Sequence, residues 1–98
     1  MLFALVAADK PDHLAVRMEA RPAHVAFLDK LNAEGALAFA GPFLDAEGKP
    51  CGSLVVVKAD TIEDAEAMLA ADPYQAAGLF GEARLQPWTW AFNKPDHL

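Results

Sequence analysis

Two short runs of the chain are apolar at every position, and they constrain the fold more than any other feature. The first is Leu2–Ala8, which ends before Asp9, and the second is Val55–Val57 within the segment Ser53–Lys58. Residues branched at Cβ favour strands, and a strand that is apolar on both faces must be covered on both. The first run is also far shorter than the ~20 apolar residues that cross a bilayer. We therefore expect two central strands in one sheet.

Two further segments have the hydrophobic periodicity of helices. Pro22 favours the first position of a helix, because it lacks the N–H that a helix interior uses, and Gly35 favours the end of that helix. We expect only a short helical turn over residues 12–17 before it. Thr61 is typical of a residue that caps a second helix, and a short third helical segment is expected over Tyr74–Leu79. The apolar stripe of the first helix consists of Ala20, His24, Phe27, Leu28 and Leu31.

Two outer strands complete the pattern. They are expected over Ala36–Phe43 and Ala83–Phe92, and the second would place Trp88, Trp90 and Phe92 on one face. The order strand-helix-strand-strand-helix-strand predicts a ferredoxin-like α+β fold, in which two helices cover one face of a four-stranded antiparallel sheet. Because the other face is also apolar, we expect a second copy to cover it, giving a homodimer of the α+β barrel type.

The composition agrees with this prediction. A chain of 98 residues is too short for two cores, so we expect a single domain over residues 1–98. A core of this size is marginal alone, and the chain is 54% apolar with only 22% charged residues, which favours oligomerisation. The net charge of −6 argues against nucleic acid and anionic membranes as partners.

Several function classes lack a supporting motif. Cys51 is the only cysteine, so we expect no internal disulfide and a reducing, cytoplasmic location. There is no glycine-rich phosphate loop, no Gly-x-Ser-x-Gly and no Cys-x-x-Cys, so no cofactor is expected. No metal site is expected either. The alternative, a site built from residues of the two termini, would require those termini to meet; its residues would be Asp12, His13, Asp96 and His97.

Four short motifs occur in an order and spacing that resemble the YciI-like (YCII-related) family over essentially the whole chain. They are Arg21-Pro22-Ala23-His24, Gly41-Pro42, Asp72-Pro73-Tyr74 and Gln86-Pro87-Trp88. The resemblance implies a dimeric ferredoxin-like fold related to that of muconolactone isomerase. It also implies an active site built on a histidine and an aspartate, at His24 and Asp72. The one activity associated with the family is dehydrochlorination of chlorinated hydroxyquinols.

The chemistry of these two residues can also be considered directly. In the first turn of a helix that begins at Pro22, His24 is expected to be neutral near pH 7 unless a carboxylate partners it, because burial and a helix N-terminus both disfavour the cationic imidazole. A neutral imidazole can accept a proton from a substrate, although a buried histidine with one structural hydrogen bond is the alternative. Asp72 precedes Pro73, which is typical of an aspartate that caps a helix. A carboxylate fixed in that way can still orient a histidine.

The remaining candidates would hold a ligand. On a continuous helix, Arg21 and Arg17 lie about one and two turns before His24, where they would bind an anionic or phenolate substrate; solvated surface arginines are the alternative. Contacts with substrate are expected from Arg21, Gly41, Pro42, Pro73, Tyr74 and Trp88. Three functions remain open: a cofactor-independent isomerase or lyase acting on a small cyclic or aromatic metabolite, a dimeric module that binds such a molecule without changing it, or a purely structural dimer.

Overall fold

A computed structural model describes residues 1–98 as a four-stranded sheet with helices on one face. The elements are β1 (Leu2–Asp9), α1 (Leu14–Ala33), β2 (Leu37–Leu44), β3 (Pro50–Lys58), α2 (Ile62–Leu69), α3 (Pro73–Ala76) and β4 (Phe80–Trp88). The strand order is β2-β3-β1-β4, and every neighbouring pair is antiparallel. The predicted ferredoxin-like α+β fold is therefore confirmed.

The two fully apolar runs form the central strands, as expected. β1 pairs with β3 so that Phe3 lies opposite Val57 and Leu5 opposite Val55. These alternate residues point toward the helices, where both valines are at most 1% exposed. The core that they share with α1 and α2 consists of Phe3, Leu5, Ala7, Leu31, Val55, Val57, Ala65 and Leu69. Each helix therefore packs its stripe against one face of the sheet.

The prediction that the first long helix begins at Pro22 is wrong, since α1 begins at Leu14 and contains Pro22 in its interior. An interior proline removes one hydrogen bond and costs about 3 kcal/mol. Pro22 is exposed, so water can solvate the carbonyl that loses its partner. The offsetting contacts are tertiary, because the same helix buries Arg17 and His24. As a consequence, His24 lies in the middle of a helix, and the argument from a helix N-terminus does not apply to it.

The two predicted helix caps are present. The Thr61 hydroxyl accepts a hydrogen bond from the Asp64 N–H at 3.1 Å, which fixes the start of α2. The Asp72 carboxylate caps α3, which ends at Ala76 and is shorter than the segment expected. Gly35 follows α1 with a φ of 74°, the left-handed conformation that glycine adopts at helix ends.

The last strand differs from its prediction at both ends. β4 begins at Phe80 and ends at Trp88, so Trp90 and Phe92 lie beyond it. Trp90 folds back into a cluster with Trp88 and Phe39, whose ring centroids are 5.0–5.4 Å apart. Phe92 is 84% exposed, so the expected alternation of three aromatic residues on one strand face does not occur.

We call the sheet face without helices the open face. It presents alternate residues of the strands, namely Leu2, Ala4 and Val6 of β1, Leu54 and Val56 of β3, and Arg84, Gln86 and Trp88 of β4. Part of it is already covered within the chain, since Ala4 and Val56 are at most 3% exposed. Phe43 at its edge is 42% exposed. No helix of the chain combines the length and the apolar character needed to cross a bilayer.

Candidate active site

The fold brings together His24 and Asp72, which are separated by 48 residues in the sequence. His24 Nδ1 on α1 lies 2.8 Å from Asp72 Oδ1 at the start of α3. Both residues are buried, with exposed fractions of 8% for the histidine and 1% for the aspartate. Burial excludes the water that would otherwise weaken a hydrogen bond between a carboxylate and an imidazole.

The position of Asp72 at the helix cap determines which ring nitrogen of His24 carries a hydrogen. Oδ1 of Asp72 also accepts a hydrogen bond from the Tyr74 N–H at 2.9 Å, so the backbone fixes the carboxylate. An ionised carboxylate can only accept hydrogen bonds, so Nδ1 of His24 must donate. In the neutral imidazole this leaves the lone pair on Nε2. The Asp72 side chain therefore both caps α3 and orients the imidazole of His24.

One oxygen of Asp72 has no partner. Oδ2 is buried and forms no hydrogen bond. An unsatisfied buried acceptor typically costs about 1–3 kcal/mol, so the charge on this carboxylate is poorly compensated while His24 is neutral. A proton arriving on Nε2 would place a full positive charge beside it. The arrangement thus favours an imidazolium that forms during a proton transfer.

Tyr74 fixes the plane of the histidine ring. The two rings are stacked, with centroids 3.9 Å apart and an angle of 16° between planes. Tyr74 is 1% exposed, and the Arg17 guanidinium carbon lies 4.7 Å from the centroid of its ring. The imidazole is therefore held by a hydrogen bond at Nδ1 and by stacking across its face.

Arg17 links three elements of the fold. Its Nε donates to Asp9 Oδ2 at 2.7 Å, and its Nη2 donates to Asp9 Oδ1 at 3.1 Å and to Ser53 Oγ at 2.7 Å. Burial alone would lower the pKa of Arg17, but the hydrogen bond and charge of Asp9 and the charge of Tyr74 raise that pKa above its usual value. The guanidinium is a fixed charge that holds Ser53 in place.

A cavity of about 180 Å³ lies beside His24. It is lined by α1 (Arg17, Arg21, His24, Val25, Leu28), by β2 (Ala40, Gly41, Pro42), by β3 (Ser53, Val55) and by α3 (Tyr74). Two of the larger cavities lie on the open face; the one of about 430 Å³ near Trp88 and Trp90 has only Lys58 and Lys94 as charged side chains. The cavity of about 180 Å³ is the one bordered by the histidine of the buried His24–Asp72 pair.

Most of the residues expected to contact substrate line this cavity, and two do not. Arg21, Gly41, Pro42 and Tyr74 border it. Pro73 is the first residue of α3 and does not reach the cavity, and Trp88 lies on the opposite side of the sheet, against Phe39 and Trp90. No three His, Cys, Asp or Glu residues are close enough to bind a metal ion together.

Two polar residues of the site, Asp9 and Ser53, were not predicted from the sequence. The signal for Ser53 was present, because it is the one hydroxyl among the residues of β3 that alternate toward the helices with Val55 and Val57. Asp9 was interpreted only as the polar end of β1. Its pairing with Arg17 becomes visible only when α1 is known to start before Pro22.

Tyr74 offers a spectroscopic test of this environment. Burial raises the pKa of Tyr74 above its ordinary value; Arg17 opposes that change and the carboxylate of Asp72 adds to it. Since Tyr74 is the only tyrosine, the ultraviolet absorbance of phenolate reports this residue alone. We expect the native protein to titrate with a midpoint above the ~10 of a free tyrosine.

The sign of the linked stability change follows from the raised pKa. Folding favours the protonated form of Tyr74. The contribution of Tyr74 to the free energy of unfolding is therefore complete below its pKa in the unfolded chain, and it is lost as the pH rises through its pKa in the folded protein. The control is the same titration of protein unfolded in guanidinium chloride. A native midpoint at or below the unfolded one would show that Tyr74 is not in the buried position described here.

Comparisons with known proteins identify the family of this chain and support its fold. The family model described as "YCII-related domain" matches residues 1–89. The protein YciI of Escherichia coli is 37% identical over 98 residues, covering 94% of this chain and all of that protein. An uncharacterized protein of Haemophilus influenzae is 32% identical with the same coverage.

A solved structure shows the same fold with a ligand. It is a 5-chloro-2-hydroxyhydroquinone dehydrochlorinase from Burkholderia phenoliruptrix in complex with 2,5-dihydroxybenzoquinone. It superimposes with a TM-score of 0.84 and 29% sequence identity, covering 93% of this chain and 96% of that one. With the fold, the family model and relatives of full length in agreement, the chain belongs to the YCII-related domain family.

Proposed function

We propose that this protein is a cofactor-independent acid–base enzyme of the isomerase or lyase type, with His24 as the base and Asp72 as the residue that orients it. One observation carries the proposal: a buried aspartate, fixed by a helix cap, lies 2.8 Å from Nδ1 of a histidine that borders a cavity. Nε2 of His24 forms no hydrogen bond within the chain and His24 borders the cavity, so this nitrogen is free to take a proton from a bound molecule.

The reaction follows from the geometry. Nε2 of His24 takes a proton from a carbon next to a carbonyl group of the substrate, or from a hydroxyl conjugated with that carbonyl. The electron pair of the broken bond forms a double bond, and the carbonyl oxygen becomes an oxyanion. The imidazolium that results is stabilised by Asp72. In an isomerase the proton returns to another atom of the substrate, and in a lyase a leaving group departs with its electron pair.

The size of the cavity limits the substrate. A cavity of about 150 Å³ is enough for benzene, so about 180 Å³ fits one small ring with few substituents. The structural relative in Burkholderia phenoliruptrix acts on 5-chloro-2-hydroxyhydroquinone and was solved with 2,5-dihydroxybenzoquinone. Both are single hydroxylated rings. We therefore propose small cyclic or aromatic metabolites with hydroxyl or carbonyl groups as the substrate class.

The experiment is a screen that detects proton transfer itself. Purified protein would be incubated in heavy water with a panel of chlorinated hydroxyquinols, small lactones and small enols, and followed by proton NMR. We expect deuterium to enter at least one compound, or chloride or another group to be released, faster than without protein. Tight binding of a panel member with no exchange and no product would instead favour a binding module.

We further propose that two copies associate through the open face, because apolar side chains such as Leu2, Val6 and Leu54 remain partly exposed there. Light scattering at micromolar concentration is expected to give the mass of a dimer. A folded protein with the mass of a single chain would contradict this assembly.

A further inference from the structure

The hydroxyl group of Ser53 has a proton that nothing in the chain accepts. Ser53 lies on β3, is 3% exposed and borders the cavity that contains His24. Its Oγ accepts a hydrogen bond from Arg17 Nη2 at 2.7 Å, and it forms no hydrogen bond as a donor. Because a guanidinium only donates, the hydroxyl proton must point away from Arg17. A buried donor is therefore available to the cavity.

The surroundings hold this donor in one place. Two hydrogen bonds from Arg17 to Asp9 fix the guanidinium, and the guanidinium fixes the Ser53 oxygen. Pro42 on β2 and Ala7 on β1 lie opposite Ser53 in the sheet, so β3 has a neighbouring strand on each side at this position. A donor that is positioned before the ligand arrives does not need to reorganise when charge develops nearby.

The charges around the cavity favour an anion. The charge of Arg17 is balanced by Asp9, and the carboxylate of Asp72 does not line the cavity. Arg21 borders the same cavity and takes part in no salt bridge. The side chain with an uncompensated charge at this cavity is therefore positive. An ionised oxygen near Ser53 would gain both a hydrogen bond and a favourable field.

We propose that Ser53, fixed by Arg17, binds the oxyanion of the substrate, and that Arg21 adds charge at the same end of the cavity. The substrate class is a single small ring in which an ionised or ionisable oxygen is conjugated to the position that loses a proton. This inference rests on the proposed function, because the oxyanion carries the electron pair that the substrate keeps when His24 takes its proton. Ser53 therefore makes the cavity bind enolates and phenolates more tightly than neutral rings.

The experiment compares two probes that differ in charge. 4-Nitrophenol is used above the pH at which it ionises in water, and nitrobenzene is the neutral ring of similar shape; binding is measured by calorimetry and by the phenolate absorption band. We expect the parent to bind the phenolate more tightly than nitrobenzene. A hydrogen bond to a charged group corresponds to about a tenfold to hundredfold difference in affinity, and Ser53→Ala should lose that factor for the phenolate alone.

Nitrobenzene is the internal control for the variant, since its affinity reports whether the cavity is intact. Ser53→Thr keeps a hydroxyl and is expected to retain the preference for the phenolate. Equal weakening of both probes in Ser53→Ala would reduce Ser53 to a structural partner of Arg17. Absence of any phenolate preference in the parent, including absence of binding, would also overturn the proposal.

This outcome is separable from failure of the proposed function. The His24→Asn variant keeps Ser53 and Arg21, so it should still prefer the phenolate. If the preference is present in the parent and in His24→Asn, yet no panel compound exchanges deuterium or reacts, the oxyanion site stands and the enzymatic assignment falls.

Discussion

Turnover by the His24→Asn variant is expected to be about two to four orders of magnitude slower than that of the parent, the usual contribution of a positioned proton-transfer group. Asparagine can still donate a hydrogen bond to Asp72, so fold and ligand affinity should change little. It has no nitrogen lone pair that could replace Nε2. The measurement is the initial rate with whichever panel compound the parent converts, together with the affinity for that compound.

The chain provides matched controls for this change. His97 is exposed and borders neither the dyad nor its cavity, so His97→Asn should have the rate of the parent. Asp72→Asn should cost less than His24→Asn, because it disturbs the orientation and charge stabilisation of the base without removing it. A His24→Asn variant within a factor of a few of the parent would show that another group takes the proton.

The Arg17→Met variant is expected to lose about 3–5 kcal/mol of folding free energy, since it leaves the charge of Asp9 in a buried position without its partner. The side chains of Arg17 and Asp9 are only 4% and 7% exposed, so water cannot replace the guanidinium. For a domain of this size such a loss is a large part of the total. Urea unfolding followed by tryptophan fluorescence gives the number, with Trp88 and Trp90 as probes.

Two further variants test the cause. Lys30 is an exposed cation of α1 without a salt bridge, so Lys30→Met should leave the unfolding midpoint nearly unchanged. In the double variant Arg17→Met with Asp9→Leu neither charge of this pair remains, and most of the loss should be recovered. If Arg17→Met is no worse than Lys30→Met, the pair behaves as a surface salt bridge of little energetic value.

The strand pattern and the helix caps could be predicted from the sequence because each depends on local chemistry, whereas the pairing of His24 with Asp72 was implied only by the family resemblance. Leu2–Ala8 and Val55–Val57 are apolar on both faces, and Asp72 before a proline is a recognisable cap. The start of α1 could not be predicted in this way. The local cost of Pro22 is visible in the sequence, but the buried contacts of Arg17 that offset it join residues on three separate elements.

The end of β4 was misjudged for a related reason. Alternating aromatic residues at 88, 90 and 92 are typical of a strand, yet the chain turns after Trp88 so that Trp90 can pack against Phe39. That contact spans the sheet and has no signature in the segment itself. Ser53 was missed although its alternation with Val55 and Val57 is visible in the sequence, because a single serine in a strand carries no motif and its partner Arg17 lies on a different element.

Neighbouring residues of β3 point to opposite sides of the sheet, with Ser53 in the cavity and Leu54 on the open face. Side chains along a strand alternate between the two faces of the sheet. Insertion or deletion of one residue inside Pro50–Lys58 would therefore move every residue beyond it to the opposite face. Changes in length within the turn at 45–49 would leave that frame intact. We therefore expect lineages of this protein to vary in the turn and to conserve the length of β3.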